Sequence, residues 1–254
     1  VIVSSGSVDR TDAIVNRSSM KDRRVRLLKE KKRMGKFSAV NMFLKTAKSR
    51  ILVLISADTI PADDAIEKLC APLSSKSVGM TCGRPVPFHE RGFIGSISEL
   101  QWRIHHQVAL KRPKCGELIA FRKIFKSIPQ TGADEEEIAA LILDKGLKLV
   151  YVPEAVVSNF PPRTISDHMK QRRRNYCAQL WLRRRTGRLP PTMSASYIIP
   201  AFISCFPIRK PGTALAASSL EIYCRMRGYF DYMVDRRKEG KHVIWDIAKS
   251  TKGR

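Results

Sequence analysis

The chain predicts an α/β fold in which a mostly parallel sheet carries helices on both faces and runs into a helical, basic C-terminal extension. Three observations carry that expectation. Segments alternate strand, helix, helix, strand, helix over residues 1–73, the order that builds a sheet covered on both sides. The strands are short apolar runs, above all ILVLI within ILVLISADTIP at 51–61, and such runs read as strands buried on both faces. Finally, 254 residues with 43% apolar content can bury one sizeable core and at most a smaller appendage. With 14 Gly, 14 Pro and 7% aromatic residues, neither a low-complexity nor a disordered class fits.

The elements follow in order. VIVSS is a strand; a Ser/Gly turn leads to Asp9 or Thr11, either of which caps a helix reaching about residue 19. Residues 17–36 carry ten Lys or Arg against two acids. Gly35-Lys36 opens a helix whose apolar positions Phe37, Val40, Phe43, Leu44 and Ala47 have helical spacing. The strand at 51–55 ends in a small-residue turn that delivers Asp58, and Pro61 sits at the start of a helix to about Leu73. Because ligands of open α/β sheets bind beyond the carboxyl ends of strands, Asp58 lies where a site belongs.

A strand at 78–87, a helix from about Ile94 to Leu110, the loop KRPKCGE and the segment LIAFRKIF come next. TGADEEEIAALILDKG is a helix with four acids, Asp134 to Glu137, in its first turn, where the dipole favours them. Gly146 ends it, and LKLVYVP is a strand. Residues 162–190 are strongly basic. The apolar stretch at 195–208 is broken by Pro200 and Pro207. It falls short of the ~20 residues that span a bilayer and reads either as an interfacial segment or as an ordinary docking segment. The tail from Ala214 to Ile247 reads as one or two helices with Leu220, Ile222, Tyr223, Met226, Tyr229, Phe230, Met233 and Trp245 as the apolar set. Residues 1–185 form the expected main domain and 186–254 the extension.

A net charge of +24 implies an anionic partner: nucleic acid, anionic lipid or a phosphorylated substrate. Aromatic residues are not interleaved with the basic runs at 172–174 and 183–185, which argues against nucleic acid. The six cysteines show no C-x-x-C pair, which argues against a zinc site or a disulfide framework and for a reducing compartment. No signal peptide opens the chain, and a first residue of Val rather than Met hints at missing upstream sequence.

An ordered set of pieces resembles the family 2 glycosyltransferases, which have the GT-A (Rossmann-like) fold: VIVSSGSVDRT, the Gly35-Lys36 helix with Asn41, SADTIP, GADEEEI, LVYVPEAVV and QRRRN at 171–175. The resemblance covers roughly residues 1–185. It implies transfer of a sugar from a nucleotide-diphosphate donor to an acceptor hydroxyl on a lipid-linked or glycan acceptor, at the cytoplasmic face of an anionic membrane surface. Asp58 matches the last acid of the D-x-D metal motif, with Ser56 replacing the first, so Mg²⁺ or Mn²⁺ is implied with Asp58 as ligand; a hard cation would neutralise the leaving diphosphate. Asp134 and Glu135 match the Glu-Asp pair, whose second acid would be the general base of an inverting displacement. Gln171 and Arg174 match Q-x-x-R-W, with Asn175 in place of the Trp, and Arg suits diphosphate oxygens. Ser5, Asp9 and Lys36 fall on the donor side, and Gly116, Glu117 and Arg122 on the acceptor side. The family's preceding strand and its early acid have no counterpart. Two other readings stay open: a basic membrane- or nucleic-acid-binding protein, and a glycosyltransferase that no longer turns over. His105 and His106 read as core or surface histidines, and Trp102 and Trp181 as packing residues, either of which, if at the cleft, could stack on a sugar ring.

Overall fold

The structure is a computed structural model describing residues 1–88 and 92–237. In chain order it contains β1 (Ile2–Ser5), α1 (Thr11–Lys21), β2 (Leu27–Glu30), α2 (Lys36–Thr46), β3 (Ile51–Ile55), β4 (Thr59–Pro61) and α3 (Ala65–Cys70), which runs into a 3-10 turn. There follow β5 (Val78–Pro87), α4 (Phe93–Lys111), β6 (Leu118–Arg122), α5 (Asp134–Asp144), β7 (Lys148–Asn159), α6 (Ile165–Thr186), α7 (Ala195–Cys205) and α8 (Pro211–Arg237). Trp245 and the end of the expected tail lie outside the described residues.

The α/β class, the helices on both faces and the helical C-terminal extension are present, and the sheet is mixed where a mostly parallel one was expected. β1 and β2 pair in parallel as a two-stranded sheet, and a five-stranded sheet has the order β3-β6-β5-β7-β4. Within it β5–β7 is parallel, while β3–β6, β6–β5 and β7–β4 are antiparallel. An apolar run records that both faces are buried, whereas direction is set by the connection, which is why composition misled. β6 shows this directly. Its Ile119 and Phe121 pack with Met80, Val40, Leu44 and Ile138 on the α2–α5 face, and Leu118 and Ala120 pack with Leu69, Leu73 and Val157 on the α3 face. Burying a side chain such as Phe121 contributes about 1.5–3 kcal/mol. β3, read from its sequence as a strand buried on both faces, is an edge strand of the larger sheet, with Ile51 and Ile55 exposed.

Cys82 on β5 is bonded to Cys115 in the loop before β6, with Cα atoms 5.2 Å apart, while Cys70, Cys177, Cys205 and Cys224 are free. The expectation of no disulfide is corrected for this pair. The two residues are 33 positions apart and meet through sheet pairing, so no local spacing could reveal them.

The basic segment at 162–190 is largely the helix α6, capped by Thr164 accepting from the Asp167 amide and ended by Gly187 in the left-handed region. Several of its arginines are structural. Arg172 forms a bidentate pair with Glu221 of α8 at 2.8 and 2.9 Å, and Arg173 another with Asp231 at 2.9 and 3.1 Å. The helices approach closely at Gly228 of α8, and Cys224 one turn earlier is buried. A Cβ at Gly228 would meet the Arg173 carbonyl oxygen at 2.8 Å. Ala214 and Ala217 also pack with Ile97, Leu100 and Cys205, fastening α4, α7 and α8 together.

Candidate active site

Strand ends and helix starts converge on one cleft of about 930 Å³. Ser5 enters it from the end of β1, Asp58 from the turn after β3, and Gly116 and Glu117 from the loop before β6. Asp134 and Glu135 come from the first turn of α5, and Gln171 and Arg174 from α6. Gly35, at φ 100°, gives the left-handed turn that starts α2 and sets Lys36 in the same cleft.

The charges are interlocked. Lys36 Nζ donates to Glu135 Oε1 in a short ion pair and to Ser56 Oγ at 3.2 Å. Burial alone would lower the Lys36 pKa; the charges of Glu135, Glu117 and Asp134 outweigh it and raise it. Glu135 is the converse: burial disfavours its charge, but the charge and hydrogen bond of Lys36 hold its carboxyl below the ordinary value. Asp134, buried at the start of α5, is pushed up to about 7 by burial and then by the charge of Glu135. Its Oδ1 has no hydrogen-bond partner among the described residues. Glu117 is raised by burial and by the neighbouring charges of Asp58 and Glu135, against the opposing charge of Lys36. Arg174 feels Asp58, Glu117 and Glu135, though burial and Arg33 dominate and lower its pKa.

Asp58, Glu117 and Glu135 therefore crowd oxygen donors into a partly desolvated cleft, an environment that a hard divalent cation relieves. Among the described residues no group of three or more His, Cys, Asp or Glu is arranged to hold a metal. Asp58 is the residue that would hold such a cation, with its remaining coordination left to oxygens from outside the protein.

Two of the residues expected in the site lie elsewhere. Arg122 donates to the carbonyls of Val78, Leu73 and Ser75 at 2.6–2.9 Å and holds the turn after α3. Asp9 accepts from the Thr11 amide at 3.0 Å at the start of α1. Conversely, the cleft contains groups that the sequence reading passed over. Lys114, almost fully buried, forms a short ion pair with Glu136 and donates to the Cys115 carbonyl at 2.9 Å. Glu221 and Arg225 of α8 also line it, with Arg225 Nε donating to Glu221 Oε1 at 2.8 Å. The spacing Glu221…Arg225, four apart on one helix, was a legible signal for that pair. Trp102, expected as a packing residue, and His105, expected as a core or surface histidine, stand on the cleft wall.

An acid–cation cleft at the strand ends of an α/β sheet lies where such folds bind their ligands. Residues 1–129 match the family model described as glycosyl transferase family 2, and residues 71–230 that of glycosyl transferase family group 2. The chain belongs to glycosyl transferase family 2. It is 20% identical over 196 residues to an N-acetylglucosaminyltransferase of Sinorhizobium fredii, covering 68% of this chain and 48% of the relative. It is 28% identical over 90 residues to the glycosyltransferase GlyG of Streptococcus pneumoniae, covering 35% and 30%. The chain thus spans about half the length of the first relative and less than a third of the second. Among solved structures, a mannosyltransferase of Pyrobaculum calidifontis in complex with GDP-Man and Mn²⁺ superposes with a TM-score of 0.57 at 22% identity, over 92% of this chain and 70% of that one. Glucosyl-3-phosphoglycerate synthase of Mycobacterium tuberculosis, in complex with Mn²⁺, UDP-Glc and phosphoglyceric acid, gives 0.51 at 20% identity, over 74% and 68%. These likenesses establish the GT-A fold.

Proposed function

We propose that the chain transfers a sugar from a nucleotide-diphosphate donor to an acceptor hydroxyl with inversion, assisted by Mg²⁺ or Mn²⁺ at Asp58. The observation that carries this reading is the convergence of Asp58, Lys36, Glu135 and Arg174 in one cleft. The cation, bound by Asp58 and phosphate oxygens, would neutralise the leaving diphosphate. Arg174 offers the planar donor fork that diphosphate oxygens accept. Glu135, kept ionised by Lys36, takes the proton of the attacking hydroxyl, while Asp134 behind it is the second candidate base.

The same reading places the enzyme peripherally on the cytoplasmic, anionic face of a membrane. Among the described residues no helix is long and apolar enough to cross a bilayer. The outward face of α7 and α8 exposes Ile199, Ile203, Leu215, Ile222, Met226 and Phe230, with Arg209, Lys210 and Arg227 close by in sequence. Each basic residue at such a surface contributes on the order of 1 kcal/mol. Co-sedimentation with phosphatidylglycerol vesicles but not with phosphatidylcholine vesicles is the expected result. The central test is Asp58→Ala, which should abolish Mn²⁺-dependent donor turnover; full activity in that variant would sink the role given to Asp58.

A further inference from the structure

A second pocket, of about 460 Å³, opens on a different face of α4 from the cleft. The helix serves both: Ser98, Gln101 and His105 line the cleft, whereas Gly95, Glu99, Arg103 and His106, repeating every three or four residues, line the pocket. Trp102 stands between the two and borders each. The end of β5, from Arg84 to Phe88, forms another wall, and Ser204 and Cys205 from the end of α7 complete it. The volume lies in the range of small-ligand sites. None of its groups takes part in the chemistry proposed above.

The pocket's charge is cationic and unspent. Arg84 reaches it from β5 just past the register shift between Cys82 and Arg84, an irregularity of the kind that re-aims a side chain. Arg103 reaches it from α4. Among the described residues neither guanidinium has a hydrogen-bond or ion-pair partner, whereas Arg172, Arg173 and Arg225 are committed to acids. Glu99, the single acid on the wall, is exposed and does not pair with Arg103, although the two lie four apart on one helix. His106 Nδ1 lies 2.8 Å from the Tyr151 hydroxyl, and burial followed by the charge of Arg84 lowers its pKa, so the imidazole is neutral at pH 7. Two free guanidiniums on different elements, with the Gln107 amide beside them, suit a phosphate, whose oxygens accept from arginine in pairs.

The surroundings narrow which phosphate. Ile203, Phe206 and Ile208, next to Ser204 and Cys205 in sequence, are exposed, and so is Phe93 at the start of α4. A soluble phosphate gains nothing from that hydrocarbon, while a phospholipid presents a phosphate and acyl chains together. We propose that the pocket between β5, α4 and α7 is a headgroup site for one anionic glycerophospholipid, its phosphate held by Arg84 and Arg103 and its acyl chains lying over α7. The proposal rests on the peripheral membrane reading above and turns a diffuse attraction into one site outside the catalytic cleft.

The test measures partition of the full chain onto mixed vesicles of phosphatidylcholine and phosphatidylglycerol. Arg84→Gln and Arg103→Gln should each weaken binding by about tenfold. Arg103 is exposed on a helix, so its variant keeps the test decisive should Arg84→Gln, on a strand, fail to fold. The double variant Arg17→Gln/Lys21→Gln removes two exposed charges on α1, outside the pocket, and should cost less than either single pocket variant. Inorganic phosphate and glycerol 3-phosphate, added free, should compete only weakly. Losses in the pocket variants no larger than that of the α1 variant would overturn the site and leave only diffuse attraction. Binding of glycerol 3-phosphate as tight as that of the vesicles would make this a soluble-phosphate pocket and overturn the lipid assignment. Absence of any binding of the parent protein to phosphatidylglycerol would instead remove the membrane reading on which the site depends.

Discussion

Replacing Glu221 with Gln tests the ion-pair network that binds α8 to the body of the protein. Glu221 accepts from Arg172 at 2.8 and 2.9 Å and from Arg225 at 2.8 Å, with its side chain 23% exposed. Burial opposes its charge, yet the two guanidiniums hold its carboxyl down to about 2 from an ordinary 4.5. That difference corresponds to about 3 kcal/mol of folding stability at neutral pH. Because the folded-state value is depressed, this stability is present above the unfolded value and is lost as pH falls toward 2, with about 2 kcal/mol gone by pH 3. Glu221→Gln should therefore cost about 3 kcal/mol at pH 7, or roughly 6–12 °C in melting temperature for a chain of this size. The gap between variant and parent should narrow steadily from pH 5 to pH 3. Thermal unfolding followed by tryptophan fluorescence across that range measures both. A gap that does not change with pH, or a variant as stable as its parent at pH 7, would refute the reasoning.

The other expectations are more local. Glu135→Gln should lower kcat by 10²–10⁴-fold with little change in donor affinity. In the parent protein, the acid limb of kcat/KM should lie below the ordinary carboxylate value, because Lys36 lowers the Glu135 pKa and the base must be deprotonated to act; an acid limb near 7 would transfer the role to Asp134. Gly228→Ala would put a methyl group 2.8 Å from the Arg173 carbonyl oxygen, and the overpacking of about 1–3 kcal/mol should exceed the ~1 kcal/mol gained in helix propensity. A net loss of melting temperature is expected, and a gain would mean that α8 does not pack against α6 as described.

Much of this protein could be read from its residues because the informative signals are local. Asp58 at the end of an apolar strand, Lys36 at a helix start and the first three acids of α5 each have a short-range cause, and all of them reach the cleft. What could not be read depends on distant partners. The direction of β6 is decided by its connection, Cys82 finds Cys115 across the sheet, and Arg122 is committed to carbonyls of a turn more than forty residues earlier in the chain. The basic run in α6 illustrates the same limit. Composition suggests a solvated or ligand-facing surface, whereas Arg172 and Arg173 are largely consumed by Glu221 and Asp231 on a helix some fifty residues away. The apolar set of α8 divides in a way that residue type alone could not reveal. Cys224, Gly228 and Tyr232 are buried, with Gly228 and Tyr232 against α6, and large residues such as Ile222, Met226 and Phe230 face outward.

That division makes α8 a partition with a different material on each side. Its outer face is hydrocarbon, while Glu221 and Arg225 on its other side form part of the cleft wall. A single helix is about 10 Å across. If the outer face rests on lipid, an acceptor anchored in that lipid has only about one helix diameter to cover before its hydroxyl reaches the cleft.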